Sequence, residues 1–218
     1  MHPNTTSSQP RLAWLALAAI AGQVALLASA WLLPLLSDYD LLSDNISELV
    51  LGRFGWVQTT TFVLGGLGTI ALAYAVRRLT QGTWGSRVGA LLVGVYGVGA
   101  ILVAAFPTDR IDGPEDVWSQ STTGMIHIAV SLISFVVMIV AMFILFRTFL
   151  LDSRWRPLTP WIVLLPCASL SLMLGQGEGP HGGLLQRLLV SMIAAWIFLV
   201  ANRVRSLADA PYASSAVE

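Results

Sequence analysis

Ser47, Glu48, Asp109, His127 and Arg187, with Asn45 and Gln186 beside them, are the side chains through which this sequence can do chemistry. The run Asp44-Asn45-Ile46-Ser47-Glu48 sets a carboxylate three residues after an asparagine, the distance of a capping box. Its plain reading is the start of a short interfacial helix. Phe106-Pro107-Thr108-Asp109 halts a helix at its proline and leaves Asp109 at the membrane surface. Thr123, His127 and Ser131 recur at every fourth position, so they stack on one helix face.

Three chemistries fit these residue types. Glu48, Asp109 and His127 are a carboxylate–histidine donor set for a divalent metal and its activated water. Ser47, His127 and Asp109 are instead the types of a nucleophile, a base and its orienter. Neither set has the H-E-x-x-H or G-x-S-x-G spacing that would mark an enzyme. A non-enzymatic reading has Arg187 meet an anion, a lipid headgroup or other small polar ligand, while Asn45, Ser47, Glu48, Asp109, His127 and Gln186 complete a concave site. A proton-coupled transporter using Asp109 or His127 is the third class, although pumps carry chains of titratable groups and this chain has one deep in a span.

Plainer roles stand beside each. His127 suits a hydrogen bond that bridges two helices, and Gln23 suits the same task in the first span. Acids in loops are ordinarily solvated charge, and the acidic stretch 109–116 lacks the spacing of a calcium loop. Arg187 either meets Glu48, Asp109 or a lipid phosphate, or snorkels to the headgroups.

The elements that must position these residues follow from composition. Hydrophobic residues make up 56% of the 218 and charged residues 11%, against roughly 25% charged in a soluble domain. Lipid, not water, must solvate so much apolar surface. The formal net charge is zero, which gives no reason to expect a nucleic-acid partner. All basic residues are arginine. The single cysteine, Cys167, lies in an apolar run and reads as buried packing.

Six apolar runs have the length of membrane spans, near 12–36, 54–76, 88–106, 125–146, 161–174 and 184–201. The expected fold is an all-α bundle of six transmembrane helices over residues 11–206, with disordered tails at 1–10 and 207–218. Ala28-Ser29-Ala30 imitates a signal-peptidase site, but the apolar run is about 25 residues, longer than the roughly 7–15-residue apolar region of a signal peptide, so an uncleaved helix is expected. Pro157, Pro160 and Pro166 predict a kinked or ragged fifth helix. Gly85 and Gly89, followed by Ser86, Ala90 and Gly94, and Gly65, Gly66 and Gly68, are small residues at which helices can approach closely.

Arginine placement orients the chain. With both termini cytoplasmic, Arg11, Arg77, Arg78, Arg87, Arg147, Arg154, Arg156, Arg203 and Arg205 fall inside, leaving Arg53, Arg110 and Arg187 outside. Asp38, Asp40, Asp44, Glu48, Asp109, Asp112, Glu115, Asp116 and Glu178 then all face out. The expectation is a multi-pass protein of the cell inner membrane whose partners are membrane lipids, its oligomeric state open.

Four segments in order carry a resemblance. Asn45-Ile46-Ser47-Glu48-Leu49, Phe106-Pro107-Thr108-Asp109, His127, and Gly183-Leu184-Leu185-Gln186-Arg187 leading to Trp196 and Arg203 resemble the domain-of-unknown-function family 998. These are small multi-helix membrane proteins of bacteria and archaea, and the resemblance spans roughly residues 12–205. It implies the six-helix fold and marks Ser47, Glu48, Asp109, His127 and Arg187. It implies no activity.

Overall fold

The structure, a computed structural model, describes residues 9–80, 82–110, 116, 119–176 and 180–209. Asp112, Glu115, Glu178 and most of both expected tails lie outside the described residues. The helices are α1 (Pro10–Leu32), α2 (Gly55–Leu79), α3 (Trp84–Ala105), α4 (Thr122–Leu151), α5 (Thr159–Gly175) and α6 (Gly182–Asp209). Each is long and apolar enough to cross a membrane, α1 with its 3-10 extension Leu33–Leu36 and α5 with the 3-10 turn Ser153–Leu158 before it. The protein is an all-α, multi-pass membrane bundle.

Some boundaries move. Leu207–Asp209, read above as tail, complete the last turn of α6. Gln9 and Pro10 also belong to the bundle, since the Gln9 N–H donates to the Ala208 carbonyl at 3.2 Å. That bond puts the start of α1 and the end of α6 at one end, the proximal end, with the ends of α1, α3 and α5 and the starts of α2, α4 and α6 at the other, the distal end. Pro157 falls in the 3-10 turn and Pro160 in the first turn of α5, where a missing N–H leaves no bond unmade. Pro166 alone is interior to α5.

Consecutive helices pack on one another, and α6 packs on α1 to close the bundle. No residue from Gly182 to Ala201 is exposed, so α6 is the enclosed helix. Its proximal half stacks Trp196 against Phe149, which stacks in turn on Trp155 at 4.3 Å between ring centroids. Outward faces of the other helices carry Leu91, Leu132, Ile133 and Leu164, as lipid-solvated surfaces should. Cys167 sits on such a face and is exposed, not buried as expected.

Glycines set the helix spacing. A Cβ on Gly97 would lie 2.7 Å from the Gly66 carbonyl oxygen, so α2 and α3 meet backbone to backbone. Gly89 takes the Leu145 side chain of α4 in the same way. Gln23 donates to Thr69 Oγ1 at 3.1 Å, and the Ser29 and Thr61 hydroxyls pair at 2.9 Å, joining α1 to α2.

Candidate functional site

The distal end is built from two clasps. In the first, the connection after α1 folds over the start of α6. Asn45 precedes a 3-10 turn, Ile46–Leu51, and its N–H and side-chain amide both donate to Glu48 Oε1, at 3.2 and 3.1 Å. Glu48 is buried by this arrangement, and the loss of water raises its carboxyl above the ordinary glutamate range. Gln186 Oε1 accepts the Ile46 N–H at 2.7 Å, while the Leu184 N–H donates to the Leu42 carbonyl at 3.0 Å. Gly183 is required here, since a Cβ would run into the backbone of Asp44.

Arg187 completes the clasp in an unexpected way. It is wholly buried, and it meets neither Glu48, Asp109 nor the surface. Its guanidinium donates to the carbonyls of Ala30 at 3.1 Å, Leu41 at 3.3 Å and Asp44 at 2.5 Å. Arg187 therefore does not snorkel, and Asp44, Glu48 and Asp40 attract it through space without an ion-pair contact. The reason is geometric: five N–H donors in a rigid fork fit several carbonyls of an irregular turn better than one carboxylate. Tyr39 closes the far side, donating its hydroxyl to the Glu48 carbonyl at 2.6 Å.

The second clasp joins α3 to α4. Pro107 has no N–H, so the Val103 carbonyl lacks its usual helical donor. His127 reaches this same helix end and donates from Nδ1 to the Phe106 carbonyl at 2.7 Å. Since a carbonyl only accepts, Nδ1 carries a proton. Asp109 Oδ2 accepts the Ser121 N–H at 2.6 Å, and Ser121 Oγ caps α4 by accepting the Gly124 N–H at 3.2 Å.

Between the clasps is a cavity of about 60 Å³, room for a few waters or one small polar group. Ser47, His127, Ser131 and Gln186 bring polar atoms to it from three separate segments, and Leu26, Phe62, Phe135 and Val190 give apolar walls. Ser134 and Tyr96 also line it and were not singled out by the sequence, which offered no polar stripe on α3 to flag Tyr96. His127 is five residues into α4, about 7 Å below its start.

The structure thus sorts the sequence candidates. Ser47, His127 and Gln186 share the cavity, whereas Asn45, Glu48 and Arg187 hold the loop that roofs it and Asp109 holds Ser121, the residue that caps α4. The serine triad is not assembled as expected, because a carbonyl and not Asp109 orients His127. Glu48, Asp109 and His127 are spent on separate partners, and among the described residues no three His, Cys, Asp or Glu groups cluster closely enough to hold a metal. Nearer the proximal end than His127, the buried groups with polar atoms include Tyr96, Gln23, Thr69, Thr80, Ser86 and Ser169.

Fold and site together define a six-helix membrane protein with a small polar cavity under a clasped distal loop. The chain belongs to the family described as protein of unknown function DUF998, whose model matches residues 10–203. No curated protein and no solved structure matches it.

Proposed function

We propose that this is a non-enzymatic membrane protein whose distal cavity takes the uncharged polar end of a lipid or a small polar ligand. The observation that carries this reading is the convergence of Ser47, His127, Ser131 and Gln186 on one otherwise apolar cavity at membrane depth. Buried polar atoms in hydrocarbon find partners, and those facing a cavity have a ligand or water to satisfy them. Arg187 does not line this cavity, and Ser47, Ser131 and Gln186 that do are uncharged, so the partner is read as a hydroxyl, ester or amide. The apolar walls suit the first carbons of a chain attached to that group. We place the distal end outside a bacterial inner membrane, since nine arginines fall at the proximal end and three at the distal one.

Native mass spectrometry of the full chain in mild detergent tests this reading. A small added mass that disappears in Ser131→Leu, which fills the cavity, and weakens in Ser47→Ala is the expected result. Wild-type protein without any added mass, or a mass indifferent to both variants, would remove the proposal.

A second reading draws on Ser47 and His127 lining the same cavity. It makes the pair hydrolytic, acting on an ester that the cavity admits. Labelling of Ser47 by a serine-reactive fluorophosphonate, abolished in His127→Gln, would put this reading first.

A further inference from the structure

We propose that a groove between α2 and α3 at the proximal end binds an anionic phospholipid, with Arg77 and Arg87 on its phosphate and an acyl chain along the trough. The groove does not rest on the function proposed for the distal cavity.

The trough exists because small residues line the seam between the two helices. At the Gly66–Gly97 crossing they touch backbone to backbone, and nothing fits between them. Toward the proximal end Ala73 faces Gly94, and a Cβ on Gly94 would meet only the Ala73 Cβ, at 3.7 Å. Small side chains at Ala73, Ala90 and Gly94 leave an open volume of about 470 Å³, flanked by Val95 and Val98. From Arg87 to Val98 is eleven residues, about 16 Å along the helix, which accommodates much of an acyl chain.

Charge chooses the headgroup. Arg77 and Arg87 both line one end of the trough, and no carboxylate lines it anywhere. Among the described residues neither guanidinium has a hydrogen-bond or ion-pair partner. Arg77 also borders a polar hollow with Arg78, Gln9 and Gly82, so the charged end opens to the membrane surface. Guanidinium forks recognise phosphate oxygens in pairs. A zwitterionic headgroup would bring its own cation against these arginines, and free phosphate would leave the apolar trough empty. The neighbouring trough between α3 and α4 carries a single arginine, Arg147, and serves as an internal comparison.

The test titrates the purified full chain in mild detergent with phosphatidylglycerol or phosphatidylcholine of identical acyl chains, read by native mass spectrometry and thermal unfolding. Phosphatidylglycerol is expected to bind on the order of tenfold more tightly. The double variant Arg77→Gln, Arg87→Gln should erase that preference, and Arg147→Gln should keep it. Gly94→Leu should block phosphatidylglycerol with both arginines in place. Should Gly94→Leu not fold, Val98→Trp closes the trough from its exposed wall. Equal binding of the two lipids, a preference that survives the double variant, undiminished binding in the trough-filling variants, or equal stabilisation by inorganic phosphate would each overturn the proposal.

Discussion

Gln186 accepts the N–H of Ile46 at 2.7 Å across 140 residues of sequence. This bond ties the first residue of one short turn to the opening of the enclosed helix α6. It explains why the Asn45–Leu49 and Gly183–Arg187 segments occur together in this chain: each supplies what the other's backbone lacks.

Replacing Gln186 by leucine removes the acceptor while leaving the Ile46 N–H buried. The expected loss is about 1–3 kcal/mol, measurable as a lowered unfolding midpoint in detergent. Unchanged stability would mean that the turn finds another acceptor.

Arg187 tests the clasp from the other side. Arg187→Lys keeps the charge but cannot serve three carbonyls spread over Ala30, Leu41 and Asp44. We expect it to destabilise by about 2–3 kcal/mol, close to Arg187→Met, and to make the 37–52 segment more sensitive to protease. A lysine variant equal to wild type would show that charge alone is what matters there.

Glu48 predicts a pH dependence. Burial raises its folded carboxyl above the ordinary range, so between the two values the folded state holds a proton that the unfolded chain has released. The stability this contributes is complete below the ordinary glutamate range and is lost as pH rises to the raised value. Glu48→Gln keeps an acceptor for Asn45 but cannot titrate. Wild type should therefore gain on the variant as pH falls through that interval. A constant difference across it would contradict the burial of an ionisable group here.

The α2–α3 interface separates two glycines that composition treats alike. Gly97→Ala must push its methyl toward the Gly66 carbonyl and should cost about 1–3 kcal/mol. Gly94→Ala meets Ala73 at an ordinary contact distance and should be near neutral. Thermal unfolding of the pair settles whether helix spacing is fixed where the backbones touch.

Hydropathy and run length alone determined the six spans, because a bilayer demands about 20 apolar residues per crossing and satisfies no backbone group outside a helix. The capping relation between Asn45 and Glu48 was equally legible, being local in sequence. Pro107 announced the end of α3, and the stripe on α4 announced Ser131 beside His127, while Thr123 of the same stripe stays at the surface with Ser121. What Arg187 does was not legible, since its three partners are backbone carbonyls, which every residue has and no side-chain type advertises. The same holds for Asp109, whose side chain is taken by an amide of the α4 start. Which polar residues share a cavity also depends on how far apart helices stand. That spacing was decided by backbone contacts at Gly66, Gly97 and Gly183, where the absence of a side chain matters only once a second helix or loop is brought against it.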